Sequence, residues 1–168
     1  MMERWRAAEV RITKCAFYTK EAQALLEEYY DAIGVVVRDG TSEMRRLIAD
    51  ARSGMWMAYK GSAVAGCVVL KGGIPTVDAG ECKRLYVRPD CRRSGVAEAL
   101  MEALEGYARE MRFAWVYLDT NDAFRASVGL YRGRGYEPCE RYNDNPQATL
   151  FFRKRLKAGM PSVDGIPG

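Results

Sequence analysis

One stretch of this 168-residue chain limits its fold more than any other. It is Leu85-Tyr86-Val87-Arg88-Pro89-Asp90-Cys91-Arg92-Arg93-Ser94-Gly95-Val96-Ala97, followed at once by an amphipathic segment. Leu85 to Val87 reads as the end of a buried strand, and Pro89 stops it. Arg92 to Ala97 is a short basic turn with one glycine. From Val96 onward, apolar side chains fall at Val96, Leu100, Leu104 (beside Ala103), Tyr107 and Met111, the spacing of one helix face. A strand that feeds a tight turn into a helix N-terminus leaves free backbone N–H groups converging on one spot, with a partial positive charge there. Arg92 and Arg93 add two full charges. This is an anion site, and its expected guest carries a pyrophosphate.

Composition narrows the setting. With 48% hydrophobic and 29% charged residues, the chain reads as one globular domain over 1–156, with a loosely held tail at 157–168 rich in Gly and Pro. No apolar run reaches the roughly 20 residues of a membrane span. The N-terminus, Met1-Met2-Glu3-Arg4-Trp5-Arg6, lacks the apolar core of a signal peptide. Five cysteines, an odd number without a CxxC pair, fit a reduced cytoplasmic setting. The sequence contains no histidine, which removes Ser-His-Asp and Cys-His catalysis and the usual zinc-ligand sets. Proton transfer near neutral pH then falls to a carboxylate, tyrosine, lysine, cysteine or water. The net charge is only +4, but Lys83, Arg84, Arg88, Arg92 and Arg93 lie within eleven residues. Nucleic acid is one guest for such a strip, yet the bases flank a strand–turn–helix, and no zinc-finger or RNA-reading aromatic motif accompanies them.

Periodicity predicts the remaining elements. Val10 to Phe17 is a strand, and Thr19 caps a helix with Ala22, Leu25, Leu26, Tyr29 and Ile33 on its apolar face. A short helix starts at Thr41 or Ser42. Strands Met55 to Tyr59 and Ala63 to Leu70 form a hairpin across Lys60-Gly61-Ser62, and Asp78 to Val87 is the fourth strand. The helix after the basic turn ends near Met111, with Gly106 expected to allow close packing. Phe113 to Leu118 suits a strand covered on both faces. A helix then runs to Arg134, followed by strands at Tyr136 to Tyr142 and Thr149 to Leu156, the latter's apolar face interrupted by Lys154. This mixed order gives an α/β or α+β sandwich.

The basic turn is neither a P-loop nor the GxGxxG of dinucleotide folds. Its form, Arg-x-x-Gly-x-Ala from Arg92 through Gly95 to Ala97, resembles the Gln/Arg-x-x-Gly-x-Gly/Ala signature with which GNAT acyl-CoA N-acyltransferases hold the coenzyme A pyrophosphate. Glu81-Cys82-Lys83-Arg84-Leu85-Tyr86-Val87-Arg88-Pro89 resembles that family's fourth strand. Leu130-Tyr131-Arg132-Gly133-Arg134-Gly135-Tyr136 is similar to its Leu-Tyr-x-x-x-Gly-Phe. The three elements occur in family order, and the resemblance covers roughly Val10 to Leu156. It implies the GNAT fold: a mixed, largely antiparallel central sheet of about seven strands, with helices on both faces and a splay between strands four and five.

The resemblance also implies a division of labour. Leu85, Tyr86 and Val87 lie where the family offers a backbone N–H to the thioester carbonyl, or they are ordinary ladder residues. Arg92, Arg93, Ser94, Gly95, Val96 and Ala97 would cradle the pyrophosphate, chiefly through main chain. Glu81 falls at a family position that often carries the general base; its plain alternative is a strand-edge surface glutamate pairing with Lys83. Tyr131 falls where relatives hold a tyrosine near the coenzyme sulfur, a general acid unless it is only a core aromatic. Many relatives carry an asparagine seven residues before that tyrosine, where it contacts pantetheine. Here that position is Phe124, and Asn121 one helical turn earlier substitutes or the contact is absent. Cys91 borders the cradle and is expected to be exposed. Tyr142-Asn143-Asp144-Asn145-Pro146 resembles a Tyr-x-x-Asn-Pro loop of small GNATs, which lines the acceptor pocket or is only turn chemistry.

The implied function is transfer of an acetyl group from acetyl-CoA to a primary amine, by direct attack in a ternary complex, without a metal. The implied partners are acetyl-CoA and a small-molecule or peptide amine, with no membrane and with homodimerisation left open. Two competitors stand beside it: an acyl-CoA-binding regulatory or sensor module without turnover, and a basic nucleic-acid-associated protein.

Overall fold

The computed structural model describes residues 9–157. The expectations for the N-terminus and for the tail beyond Lys157 fall outside these residues. Seven strands and four helices follow in the order β1 (Val10–Lys14), α1 (Lys20–Ile33), α2 (Thr41–Ala49), β2 (Gly54–Lys60), β3 (Ala63–Gly72), β4 (Ala79–Val87), α3 (Val96–Glu110), β5 (Trp115–Thr120), α4 (Arg125–Gly133), β6 (Glu137–Pro138) and β7 (Leu150–Arg155). They build one sheet in the order β1-β2-β3-β4-β5-β7-β6. Every neighbouring pair is antiparallel except β4 and β5, which run parallel from Ala79↔Trp115 to Cys82↔Leu118. Beyond Cys82, β4 keeps its pairing with β3 but has no partner on β5. The sheet is therefore mixed, and it parts at the fourth and fifth strands.

Local chemistry accounts for the element ends. The Thr19 hydroxyl accepts from Ala22 N at 3.0 Å and starts α1, and Gly34 in the left-handed region stops it. The first strand is shorter than predicted, ending at Lys14. The predicted long strand from Tyr136 shrinks to two residues, because Pro138 has no N–H to continue a ladder. The chain then leaves the sheet and returns only at Leu150.

Two cores flank the sheet. On one face α1 and α2 bury Ala22, Leu25, Leu26, Met44 and Ile48 against Met55, Met57, Cys67, Val69 and Tyr86. On the other, α3 and Tyr131 of α4 cover Trp56, Val68, Cys82, Val116, Leu118 and Phe152. Helices on both faces match the predicted architecture. Two details differ, and a third gains its partner. Trp115 and Tyr117 are only half-buried, so β5 is not sealed on both faces; Arg153 stacks 4.2 Å over the Trp115 ring and donates to Tyr117 Oη. Gly106 has open space where a Cβ would stand, so close packing is not its reason. Lys154, the charge on the apolar face of β7, reaches a carboxylate buried in that core, Glu105, at 2.6 Å.

Candidate active site

The distinctive local feature of β4 is a bulge. Between Lys83↔Val69 and Tyr86↔Cys67 the register slips, and Arg84 takes a left-handed φ of 57°. Consequently Lys83 and Arg84, though adjacent, both reach groups on the α1 side. Leu85 and Val87 pack instead against the α3 core. Opposite the end of β4, Gly66 lets β3 approach closely: a Cβ there would stand 2.3 Å from the Tyr86 carbonyl oxygen. The strand end is fixed from the other side too, because Tyr86 Oη and Arg88 both donate to the Glu28 carboxylate of α1, at 2.8 and 2.9 Å.

The basic turn leads directly from this strand into α3. Arg93 and Gly95 both adopt left-handed backbone, at φ 59° and 81°, and Gly95 is the N-cap, making no side-chain cap bond. The Ser94 hydroxyl donates back to the Cys91 carbonyl. The first-turn N–H groups of a 15-residue helix therefore face outward without a capping side chain. Val96 is buried and anchors the turn, whereas Arg92, Arg93 and Gly95 are exposed and Ser94 and Ala97 are half-buried. Cys91, expected to be exposed, is buried, and burial pushes its thiol pKa up. Four of the five clustered bases have internal partners: Lys83 with Asp119, Arg84 with Asp39, Arg88 with Glu28, and Arg92 with the Val87 carbonyl. Among the described residues Arg93 alone of the five has none, which leaves little of a free basic strip for a polyanion.

Glu81 is not a surface strand-edge glutamate. It is 4% exposed, lies 3.4 Å from the Lys83 ammonium, and accepts from Asn143 Nδ2 at 3.2 Å. The carboxylate of Asp119 on β5, which pattern reading passed over, accepts from the same Lys83 at 2.8 Å and the same Asn143 at 2.6 Å. Its only sequence signal is a lone acid ending an apolar run. Asn143 and Asn145 belong to the Tyr-x-x-Asn-Pro segment, so that loop packs onto the carboxylates and is more than a turn. Tyr142 of the same loop stacks edge-on against Tyr117, and its buried hydroxyl has no hydrogen-bond partner among the described residues. Burial, with the Glu81 and Asp119 charges, pushes the phenol pKa up.

Tyr131 lies on α4, buried and edge-on to Tyr136 at 5.8 Å. Burial, then the neighbouring Cys82, Tyr29 and Asp119, hold its pKa well above 10.0. The ring packs in the α3-side core, and the phenol is neutral across the neutral pH range. Asn121 is occupied locally: its Nδ2 donates to the Gln147 carbonyl and its Oδ1 accepts from Ala123 N, both at 2.9 Å. Phe124 is the N-cap residue of α4 and is 40% exposed.

A sheet parted between its fourth and fifth strands, with a bulge at the parting and a helix N-terminus beside it, is the arrangement of the GNAT fold. The sequence model of the Acetyltransferase (GNAT) family matches residues 16–136, and the chain belongs to that family. It is similar to the mouse protein named probable N-acetyltransferase family 8 member 5, with 24% identity over 77% of this chain and 60% of that protein. The chain spans about half the length of the curated relatives it matches. An acetyltransferase of the GNAT family from Staphylococcus aureus Mu50 superposes with a TM-score of 0.74 at 14% identity, over 89% of this chain and 100% of that one. N-acetylglutamate synthase from Neisseria gonorrhoeae, solved with coenzyme A and N-acetyl-glutamate, gives 0.71 at 16% identity, over 90% of this chain and 36% of that one. At these identities the structural likeness is one of fold. Among the described residues no helix is long and apolar enough to cross a membrane, and no group of three His, Cys, Asp or Glu side chains could hold a metal.

Proposed function

We propose that this chain transfers an acetyl group from acetyl-CoA to a primary amine by direct attack in a ternary complex. The observation that carries the reading is the coincidence, at one end of the sheet, of the β4 edge left unpaired beyond Cys82 and the Arg92–Ala97 turn on α3. In this reading Arg93, Ser94, Gly95, Val96 and Ala97 hold the pyrophosphate through main-chain N–H groups and the Arg93 charge. Arg92 contributes backbone, its guanidinium being engaged with Val87 O. The β4 edge at Leu85, Tyr86 and Val87 takes the pantetheine arm and offers an N–H to the thioester oxygen as negative charge develops there. Asn121 lines the same side with its remaining amide hydrogen.

The proton path follows from what is buried. Glu81 takes the proton that frees the attacking amine, directly or through one water. The nitrogen attacks the thioester carbon, the new C–N bond forms, and the C–S bond breaks. Tyr131, whose phenol stays protonated throughout the neutral range, gives its proton to the departing thiolate and is reloaded by the second proton leaving nitrogen. Acceptors reach Glu81 from the α1 side, where Tyr142 and Asn143 close over it. Similarity to the mouse protein named as a probable N-acetyltransferase supports the reaction class.

Thioester consumption with acetyl-CoA and a panel of alkylamines, amino acids, polyamines and peptides tests the reading. Acceptor-dependent release of free thiol with stoichiometric acetylated product is the expected result. Tight coenzyme binding with no product from any amine would instead support a binding module. Glu81→Gln lowers turnover most at low pH, and raising the pH recovers part of the rate as more amine is already neutral. A flat response across that series would leave Glu81 a structural role.

A further inference from the structure

The first charged side chains at the parting of β4 and β5 form a closed arrangement. Glu81 and Lys83 share one face of β4, and Asp119 follows Leu118, the last β5 residue paired with β4. It stands on the face of Tyr117, the register partner of Glu81. Lys83 Nζ lies 2.8 Å from Asp119 Oδ2 and 3.4 Å from Glu81 Oε2. Asn143 Nδ2, arriving from the loop between β6 and β7, donates to the same two oxygens, at 2.6 and 3.2 Å. The two carboxylate oxygens are thus bridged on one side by an ammonium and on the other by an amide. Side-chain exposure is 5% for Glu81, 8% for Asp119 and 14% for Lys83, so solvent screens the group weakly.

Cys82, Tyr29 and Tyr131 lie near the ring as neutral groups, burial raising the pKa of each. Lys71, the β3 register partner of Glu81, sends its ammonium to Asp39 at 3.3 Å, and Arg84 pairs with the same Asp39. Tyr117 Oη accepts from Arg153. Tyr142 is a phenol that stays neutral. Among the described residues, Lys83 is therefore the one cation in contact with the two carboxylates. Burial opposes its charge, but the carboxylates outweigh burial and raise its pKa, so it remains an ammonium.

Charge counting gives the consequence. A carboxylate paired with lysine alone is held ionised and makes a weak base. A second carboxylate on the same ammonium offsets that effect and leaves one uncompensated negative charge, which one proton neutralises. We propose that Glu81 and Asp119 act as a single proton-holding pair, with Lys83 and Asn143 as its positioning residues. The proton leaving the acceptor ammonium is held by the pair rather than by Glu81 alone. The inference rests on the acetyl-transfer reading for its role, and on the ring geometry for the pair itself. The balance is simple: the ammonium becomes a neutral amine, and the pair together with Lys83 goes from one net negative charge to none.

The full chain carrying ¹³C-carboxyl Glu and Asp tests it, with the Glu81 resonance assigned by its loss in Glu81→Gln. Asp119→Asn removes a like charge and leaves Lys83 acting on Glu81 alone, so the Glu81 titration moves down by about one pH unit or more. Lys83→Met leaves two like charges facing each other, so it moves up by a similar amount. Opposite movements support the pair. No movement in Asp119→Asn, or movement in the same direction in both variants, overturns it. Asp119→Asn keeps the side-chain shape, so that arm decides even if Lys83→Met does not fold. The titration needs neither coenzyme nor acceptor, so it succeeds or fails independently of the acetyl-transfer reading. With an acceptor found active in the amine panel, the acid limb of kcat/KM moves with the Glu81 titration. A limb that stays fixed while Glu81 moves overturns the pair's role as base.

Discussion

Tyr131 carries the sharpest demand of any single side chain in this account, because one hydroxyl separates a general acid from a core aromatic. Tyr131→Phe keeps the ring and its contact with Tyr136. Turnover is expected to fall by roughly ten- to a thousandfold, the usual worth of a positioned acid, with acetyl-CoA affinity nearly unchanged. Rate and affinity measured on the same folded variant decide it, and a normal rate would return Tyr131 to packing alone. Glu105 is the matching case for stability. It is 1% exposed and accepts from Arg134, Lys154 and Tyr136. Burial pushes its pKa up, but Arg134 and Lys154 outweigh burial and hold it below the ordinary value of 4.5. A folded-state pKa below the unfolded one gives stability that is full above the unfolded value and is lost as pH falls through the folded one. Glu105→Gln should therefore cost about 3 kcal/mol near neutral pH. In urea titrations its deficit against the parent chain should shrink as the pH drops below the ordinary glutamate range. An equal deficit at every pH would show that the charge contributes nothing.

Two elements owe their shape to the absence of a side chain. At the α3 N-terminus, Gly95 has φ 81°, and a Cβ there would meet only Glu98 Oε2 at 3.7 Å. Space is not the constraint; conformation is. Gly95→Val should cost about 1–3 kcal/mol of stability and weaken acetyl-CoA binding by at least about tenfold, because the turn must leave the left-handed region. Calorimetric titration of the folded variant showing the parent affinity would remove the turn from the coenzyme site. At the β3–β4 contact the constraint is reversed, since a Cβ on Gly66 would collide with the Tyr86 carbonyl oxygen. Gly66→Ala should push the Leu85–Val87 edge away from β3, costing about 1–3 kcal/mol as overpacking does. The backbone amides of Tyr86 and Val87 should show the largest shifts in ¹H–¹⁵N spectra, and an unchanged β4 edge would contradict this.

Across the whole molecule, what the sequence disclosed was what short-range chemistry controls. The Thr19 cap, the Pro89 stop and the basic turn before α3 are written in consecutive residues, and each stands where periodicity and capping rules put it. Features made by distant partners were not legible. Asp119 and Asn143 meet Glu81 only because β5 pairs parallel to β4 and the 139–149 segment folds back over both. No local pattern encodes that meeting. Glu105 is set apart from the other acids of α3 only by Arg134 and Lys154, which reach it from beyond α4 and from β7. The strand expected from Tyr136 to Tyr142 ends at Pro138, because no local pattern shows that the chain leaves the sheet there to cover β4 and β5. The fold gathers the Arg92–Ala97 turn, the open β4 edge and the clamped carboxylates around the parting of the sheet, and acetyl-CoA binding at that parting is the central claim. Titrating the ¹⁵N-labelled full chain with acetyl-CoA tests it most directly. The predicted result is saturable shifts concentrated at the amides of Leu85–Val87 and Arg92–Ala97, with β1 and α2 unaffected. Absence of binding, or saturable binding that leaves those amides unmoved, would contradict it.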